Sequence, residues 1–127
     1  MPSPTDSTLH ILVVDDDPDM VKALRRLLRS AGHTVEVADS GGEALIRFEK
    51  ERFDLVITDY QMPGMNGGEL AAAIKALVPM QPVLMLTAHA ERLRCSGGLL
   101  PAVDMILDKV CPAKELFEAV AKLLDKH

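Results

Sequence analysis

Carboxylates, a hydroxyl and an ammonium group follow short apolar runs in this chain of 127 residues. The run 9–14 leads into Asp15, Asp16 and Asp17, and the run 55–58 into Asp59. The run 83–87 ends in Thr87, followed by Ala88, and the run 103–107 leads into Asp108 and Lys109. Gathered at one place, such carboxylates repel by roughly 4 kcal/mol per pair at 4 Å and an effective dielectric of 20. A hard divalent cation relieves that repulsion, and oxygen-only ligands favour Mg²⁺ over zinc or copper. A threonine hydroxyl and a lysine ammonium are poor ligands for Mg²⁺ but good donors to a phosphoryl group. The chemistry that fits is therefore Mg²⁺ plus a phosphoryl group on a carboxylate, with Asp59 as the nucleophile.

The elements that must bring these residues together can be read from the same runs. Those at 9–14, 34–38, 55–58, 83–87 and 103–107 predict five strands, and four of them are nearly continuous, as in strands covered on both faces. Helical spacing fills the gaps: Met20, Leu24, Leu27 and Leu28, then Leu70, Ile74 and Leu77, then Leu116, Val120, Leu123 and Leu124. This alternation predicts a parallel sheet with helices on both sides, whose site lies beyond the carboxyl ends of the strands. Asp17-Pro18 and Ser40 with Glu43 predict helix starts, Gly32 a left-handed helix end, and Cys111-Pro112 the start of the last helix. Residues 88–94 predict a fourth helix that Cys95-Ser96-Gly97-Gly98 cuts short. Residues 1–8 are expected to be a mobile tail and 9–127 one domain.

Composition narrows the function. Hydrophobic residues make up 48% and charged residues 26%, as in an ordinary globular protein. No apolar run is long enough to span a bilayer, and the polar first eight residues are not a signal peptide. A formal charge of −5 and 3% aromatics argue against a nucleic-acid surface. Cys95 and Cys111 match no zinc or redox spacing, so a reduced, cytoplasmic setting is expected. Each site residue has an ordinary alternative reading: a cap for Asp17, a turn start for Asp59, a surface charge for Lys109. Their coincidence at four strand ends of one sheet favours a shared site. His10, His33, His89 and His127 show no paired ligand spacing and read as structural or exposed. His89 is placed near the site mouth. The methionines read as packing, Met65 as exposed, and Asp104 and Asp108 as solvated.

Four segments together resemble the receiver domain of two-component response regulators: ILVVDDDP (11–18), VITDYQMPGMNG (56–67), VLMLTA (83–88) and ILDK (106–109). The resemblance implies a flavodoxin-like, doubly wound sandwich, with five parallel strands in order 2-1-3-4-5 and five helices. It implies that Asp59 accepts a phosphoryl group from a histidine kinase or a histidine phosphotransfer protein. Mg²⁺ would be held by Asp16, Asp59 and the Gln61 backbone carbonyl, with Asp15 acting through water. Thr87 and Lys109 would bind the phosphoryl group, beside a small Ala88. The output would be a changed partner-binding face made by the fourth helix, fifth strand and fifth helix, on a monomer or a phosphorylation-dependent dimer. No nucleic-acid or membrane partner is expected, and no enzyme activity beyond self-phosphorylation and self-dephosphorylation.

The departures from the family pattern are local. Val110 follows Lys109 where the family usually has proline. A cis bond to a non-proline residue costs about 2.5–4 kcal/mol, so a trans bond is expected. Ile106 stands at a switch position that is commonly aromatic. A phosphorelay intermediate, or a receiver fragment of a hybrid kinase or larger regulator, are alternative readings. A Mg²⁺-dependent aspartyl-phosphate phosphohydrolase is a rival of another class. It is disfavoured because Gln61 stands where a second acid would be needed, and the chain is short for a cap.

Overall fold

The computed structural model describes residues 8–95 and 100–125. The tail expected at 1–8 and the glycine pair at 97–98 thus lie almost entirely outside the described residues. Five strands, β1 (His10–Val14), β2 (Thr34–Ala38), β3 (Leu55–Thr58), β4 (Val83–Thr87) and β5 (Met105–Asp108), pair in parallel in the order β2-β1-β3-β4-β5. The helices are α1 (Pro18–Ser30), α2 (Gly41–Lys50), α3 (Gly67–Leu77), α4 (Ala90–Cys95) and α5 (Ala113–Asp125). The flavodoxin-like order implied by the resemblance is observed, and α4 is the short helix that the sequence predicts.

Alternation along the strands builds two cores. Ile11, Val13, Leu55, Ile57, Leu84, Leu86 and Leu107 face α1 and α5, where Leu24, Leu28, Leu116 and Val120 cover them. Leu12, Val14, Val56 and Val83 face the other way, under Ala44 and Phe48 of α2 and Leu70 and Ile74 of α3. The two edge strands, β2 and β5, are only partly buried, and the β2 sequence TVEVA alternates accordingly.

Helix starts follow the expected chemistry, with one variation. Asp17 accepts from the Asp19 N–H, and Ser40 from the Glu43 N–H. The Glu43 carboxylate closes back on the Asp39 N–H, one residue earlier than in a standard capping box. Gly32 takes a positive φ of 95° after α1. The described residues contain no cis peptide bond, so Lys109–Val110 is trans, as expected.

Several residues depart from the sequence reading. The fifth strand begins two residues later than its apolar run and includes Asp108. Asp104 is not merely solvated: one carboxylate oxygen takes both the Lys75 ammonium and the Val83 N–H at 2.8 Å, tying the approach to β5 onto α3 and β4. Asp108 accepts from the Val110 N–H. Leu77, the last residue of α3, is 53% exposed, and Met80, in the turn before β4, is 69% exposed. Met65 is half-buried rather than exposed, packing against the start of α2, where a Cβ on Gly41 would meet its sulfur at 2.8 Å. Cys111 is half-buried against the α1–α5 core. His33 accepts the Leu9 N–H on Nδ1, and burial lowers its pKa, in keeping with a neutral ring.

Gly67 opens α3 directly under the end of β3, and a Cβ there would lie 2.0 Å from the Asp59 carbonyl oxygen. Gly67→Ala is expected to destabilise the fold by about 1–3 kcal/mol through forced backbone movement. At Gly42 nothing lies within 4 Å of the added carbon. Gly42→Ala is therefore expected to stabilise by about 0.4–1 kcal/mol. Urea titrations of both variants against the native chain check the pair.

Candidate functional site

The strand ladder continues one residue past the strand ends. Asp15 N–H donates to the Ala38 carbonyl, Asp59 N–H to the Val14 carbonyl and Lys109 N–H to the Thr87 carbonyl. Side chains two apart on a strand share a face. Asp15 therefore follows Ile11 and Val13, Asp59 follows Leu55 and Ile57, and Lys109 follows Leu107, all on the α1–α5 side. Three residues far apart in sequence thus converge.

Lys109 Nζ lies 3.0 Å from Asp15 Oδ2 and 3.2 Å from Asp59 Oδ2. Asp15 and Asp59 are buried, at 3% and 6% exposure, while Asp16 is exposed. One carboxylate oxygen each from Asp15, Asp16 and Asp59 lies within 4.8 Å of the others. The remaining oxygens are directed by backbone donors: Asp15 Oδ1 accepts the Asp17 N–H at 3.0 Å, and Asp59 Oδ1 the Tyr60 N–H at 2.8 Å. Asp16, Asp59, Gln61 and Asn66 line one open cavity of about 660 Å³.

Burial pushes the Asp15 carboxyl up. The Asp17 N–H and Lys109 pull against that rise, and the Asp59 charge adds to it. For Lys109 burial acts downward, but the Asp15 hydrogen bond and the charges of Asp59 and Asp15 outweigh it and hold the ammonium above its usual 10.5. The two groups share one balance: the buried acids need the lysine, and the lysine stays charged because of the acids.

Thr87 stands at the same sheet edge and is buried, but its parity differs. It follows Val83 and Met85, and its Oγ1 accepts the His89 N–H at 3.2 Å. Ala88 is exposed in the turn after it. Neither lines the open acidic cavity. Ile106 is half-buried on β5 beside Met85 of β4, and its carbonyl accepts from the Arg94 guanidinium of α4. The structure thus brings Asp15, Asp59 and Lys109 into contact, sets Asp16 within 4.8 Å of the two acids, and leaves Thr87, Ala88 and Ile106 around them.

The sequence reading missed the support of the loop after Asp59. Asn66 and Glu69 form a full capping box at α3, each side chain taking the other's backbone N–H at 2.9 Å. Gly67 N–H donates to the Tyr60 carbonyl at 2.8 Å, so the loop folds back beneath Asp59. The Asn-x-x-Glu spacing carried this signal.

Residues 11–121 match the family model for the response regulator receiver domain. The chain belongs to this family. It is 37% identical over 117 residues to the transcriptional regulatory protein GlrR of Escherichia coli, covering 92% of this chain and 26% of that protein. It is also 35% identical to the chemotaxis protein CheY of Pseudomonas aeruginosa, over 93% of this chain and 98% of the relative. The crystal structure of the response regulator TrrA of Thermotoga maritima, in complex with Mg²⁺–BeF, superposes with a TM-score of 0.83 at 36% identity, covering 91% of this chain and 98% of that one. The receiver domain therefore spans about a quarter of the transcriptional regulator it matches and nearly the whole of the chemotaxis protein.

Removing the shared cation tests the balance. In divalent-free buffer Lys109→Met is expected to lower unfolding free energy by about 3 kcal/mol, because two buried carboxylates lose their counterion. The folded-state pKa of Lys109 lies above its unfolded value, so its contribution is fully present below 10.5 and is lost as pH rises through the raised value. The native chain and the variant should differ in urea titrations at pH 8 and converge only above pH 10.5.

Proposed function

We propose that this receiver domain is a phosphoacceptor module of a two-component or phosphorelay pathway, taking a phosphoryl group on Asp59 from a histidine kinase or histidine phosphotransfer protein. The observation that carries this reading is the pair of buried acids held by one lysine, with Asp16 beside them and open space in front. Three carboxylates with oxygen-only donors fit a hard dication, so Asp16, Asp59 and the Gln61 carbonyl would hold Mg²⁺, with Asp15 acting through water. When bound, Mg²⁺ would neutralise charge on the phosphoryl oxygens.

An Asp59 carboxylate oxygen attacks the phosphorus of a phosphohistidine. The new P–O bond makes an acyl phosphate, the P–N bond breaks, and the imidazole leaves with the electron pair and takes a proton. Lys109 is already poised on Asp59 Oδ2 and donates to the phosphoryl oxygens once they arrive. Thr87 has its oxygen held by the His89 N–H, which leaves the hydroxyl hydrogen free to turn toward the same group. Ala88 offers little bulk against it. Drawing Thr87 inward would bias the face made by α4, β5 and α5, and so change affinity for a downstream partner. The Arg94–Ile106 contact lies on that face.

The proposed domain covers residues 9–127, works in the cytoplasm as a monomer or phosphorylation-dependent dimer, and catalyses nothing beyond its own phosphorylation and dephosphorylation. Among the described residues no helix is long and apolar enough to cross a membrane. Incubation with Mg²⁺ and acetyl phosphate, read by intact mass spectrometry, tests the proposal. A single phosphoryl adduct is expected on the native chain, with none on Asp59→Asn and none after Mg²⁺ is chelated. An adduct on Asp59→Asn, or no adduct on a native chain that binds Mg²⁺, would overturn it.

A further inference from the structure

The amino-terminal end of the sheet carries a second cluster of a different chemical kind. His10 opens β1, Glu36 is the central residue of β2, and Glu51 caps the carboxyl end of α2. Glu36 pairs in register with Leu12, two residues after His10, so both side chains belong to the α2 face of the sheet. One ligand atom from each of His10, Glu36 and Glu51 lies within 4.8 Å of the others, and all three residues are half-buried. Asp15 is five residue steps along the strand from His10, about 17 Å at strand rise, so the cluster is remote from the acidic cavity.

The His10 ring is held by groups outside the cluster. Nδ1 lies 2.7 Å from the Arg52 carbonyl oxygen, and the ring packs on Phe53 at 4.5 Å between centroids. A carbonyl oxygen only accepts, so Nδ1 carries the hydrogen, and in the neutral ring Nε2 presents its lone pair. That nitrogen faces Glu51 Oε1 at 3.3 Å. Two lone pairs facing each other need a cation between them, either a proton or a metal ion. A histidine whose other N–H is spent on a backbone carbonyl has the orientation usual for a metal ligand. The 3.3 Å separation is that of a loose ion pair, the same as the distance from Arg47 Nη1 to Glu36 Oε1. It matches the roughly 3.3–3.4 Å edge between two ligands each 2.0–2.1 Å from a tetrahedral zinc.

Arg47 is the cation already present. Its Nη1 reaches Glu36 Oε1 at 3.3 Å, and its Nε is buried without a partner. Two carboxylates against one guanidinium leave the cluster with a net negative charge. Glu36 has a second oxygen, so ligation need not displace Arg47. An imidazole nitrogen with two carboxylates suits a late first-row ion better than Mg²⁺.

We propose that His10, Glu36 and Glu51 form a site for a late first-row divalent cation, with Zn²⁺ the best match, independent of the phosphoacceptor pocket. A bound ion would join β1, β2 and the end of α2, and would stabilise the folded chain by mass action.

The test uses the full chain in saturating Mg²⁺, which occupies the oxygen-only cluster. Zn²⁺ is titrated by calorimetry, and the His10 ring nitrogens are followed by NMR. The expected result is one strong Zn²⁺ equivalent that shifts His10 Nε2 and leaves Nδ1 protonated. His10→Gln and Glu51→Gln should each weaken binding about tenfold or more. A His10 Nε2 signal unmoved by Zn²⁺ would overturn the proposal and leave a protonated His10–Glu51 ion pair. Unchanged affinity in a folded His10→Gln variant would overturn it equally, placing the zinc elsewhere, for example on Cys111. The ring measurement on the native chain stands even if a variant fails to fold.

Discussion

The Lys109 ammonium between the Asp15 and Asp59 carboxylates is the contact on which the rest of this domain depends. Two buried acids at neighbouring strand ends are electrostatically unfavourable, and one internal cation is not enough to neutralise them with Asp16 alongside. The pocket therefore holds an excess of negative charge, balanced just enough to fold. Under the proposed function, that excess is what would draw in a dication, and with a dication a phosphoryl group.

The fold meets this demand by pairing the backbone behind the pocket. Asp15 and Asp59 extend the buried ends of β1 and β3 by one residue and stay within the backbone ladder. The loop after Asp59 is fixed by the Asn66–Glu69 box and by Gly67, which has no side chain where the Asp59 carbonyl passes. On the β4–α4 side a six-residue helix is tied to β5 through Arg94 and the carbonyl of Ile106. The departures from the family pattern, an aliphatic side chain at 106 and an 87% exposed Val110 after Lys109, leave the Asp15–Lys109–Asp59 contact in place.

Much of this was legible in the amino-acid sequence. Continuous apolar runs at 9–14, 55–58 and 83–87 specify strands covered on both faces, because only a sheet sandwiched between helices hides such segments from water. Acids placed directly after two of those runs specify where the chemistry gathers. The caps at Asp17 and Ser40 and the left-handed Gly32 were readable because each satisfies a local backbone need. The strand order came from the family resemblance and not from periodicity, since alternation alone does not fix which strands are neighbours.

Other features belong to the tertiary structure alone. That Asp15, Asp59 and Lys109 meet on one side, while Thr87 lies on the other parity, depends on strand register, which couples residues too distant for any local signal. Asp104 looked solvated because its partners, Lys75 and the Val83 N–H, lie on other elements. Leu77 looked like core because helical spacing does not reveal where a helix stops being covered, and Met80 because an apolar side chain in a turn carries no sign of its exposure. The His10, Glu36 and Glu51 cluster has no sequence signature, since pairing β1 beside β2 is what brings its ligands together. Sequence determined which segments form the buried strands and where the charges fall along the chain; only the packed sheet decided which charges face one another, because that depends on distance in space.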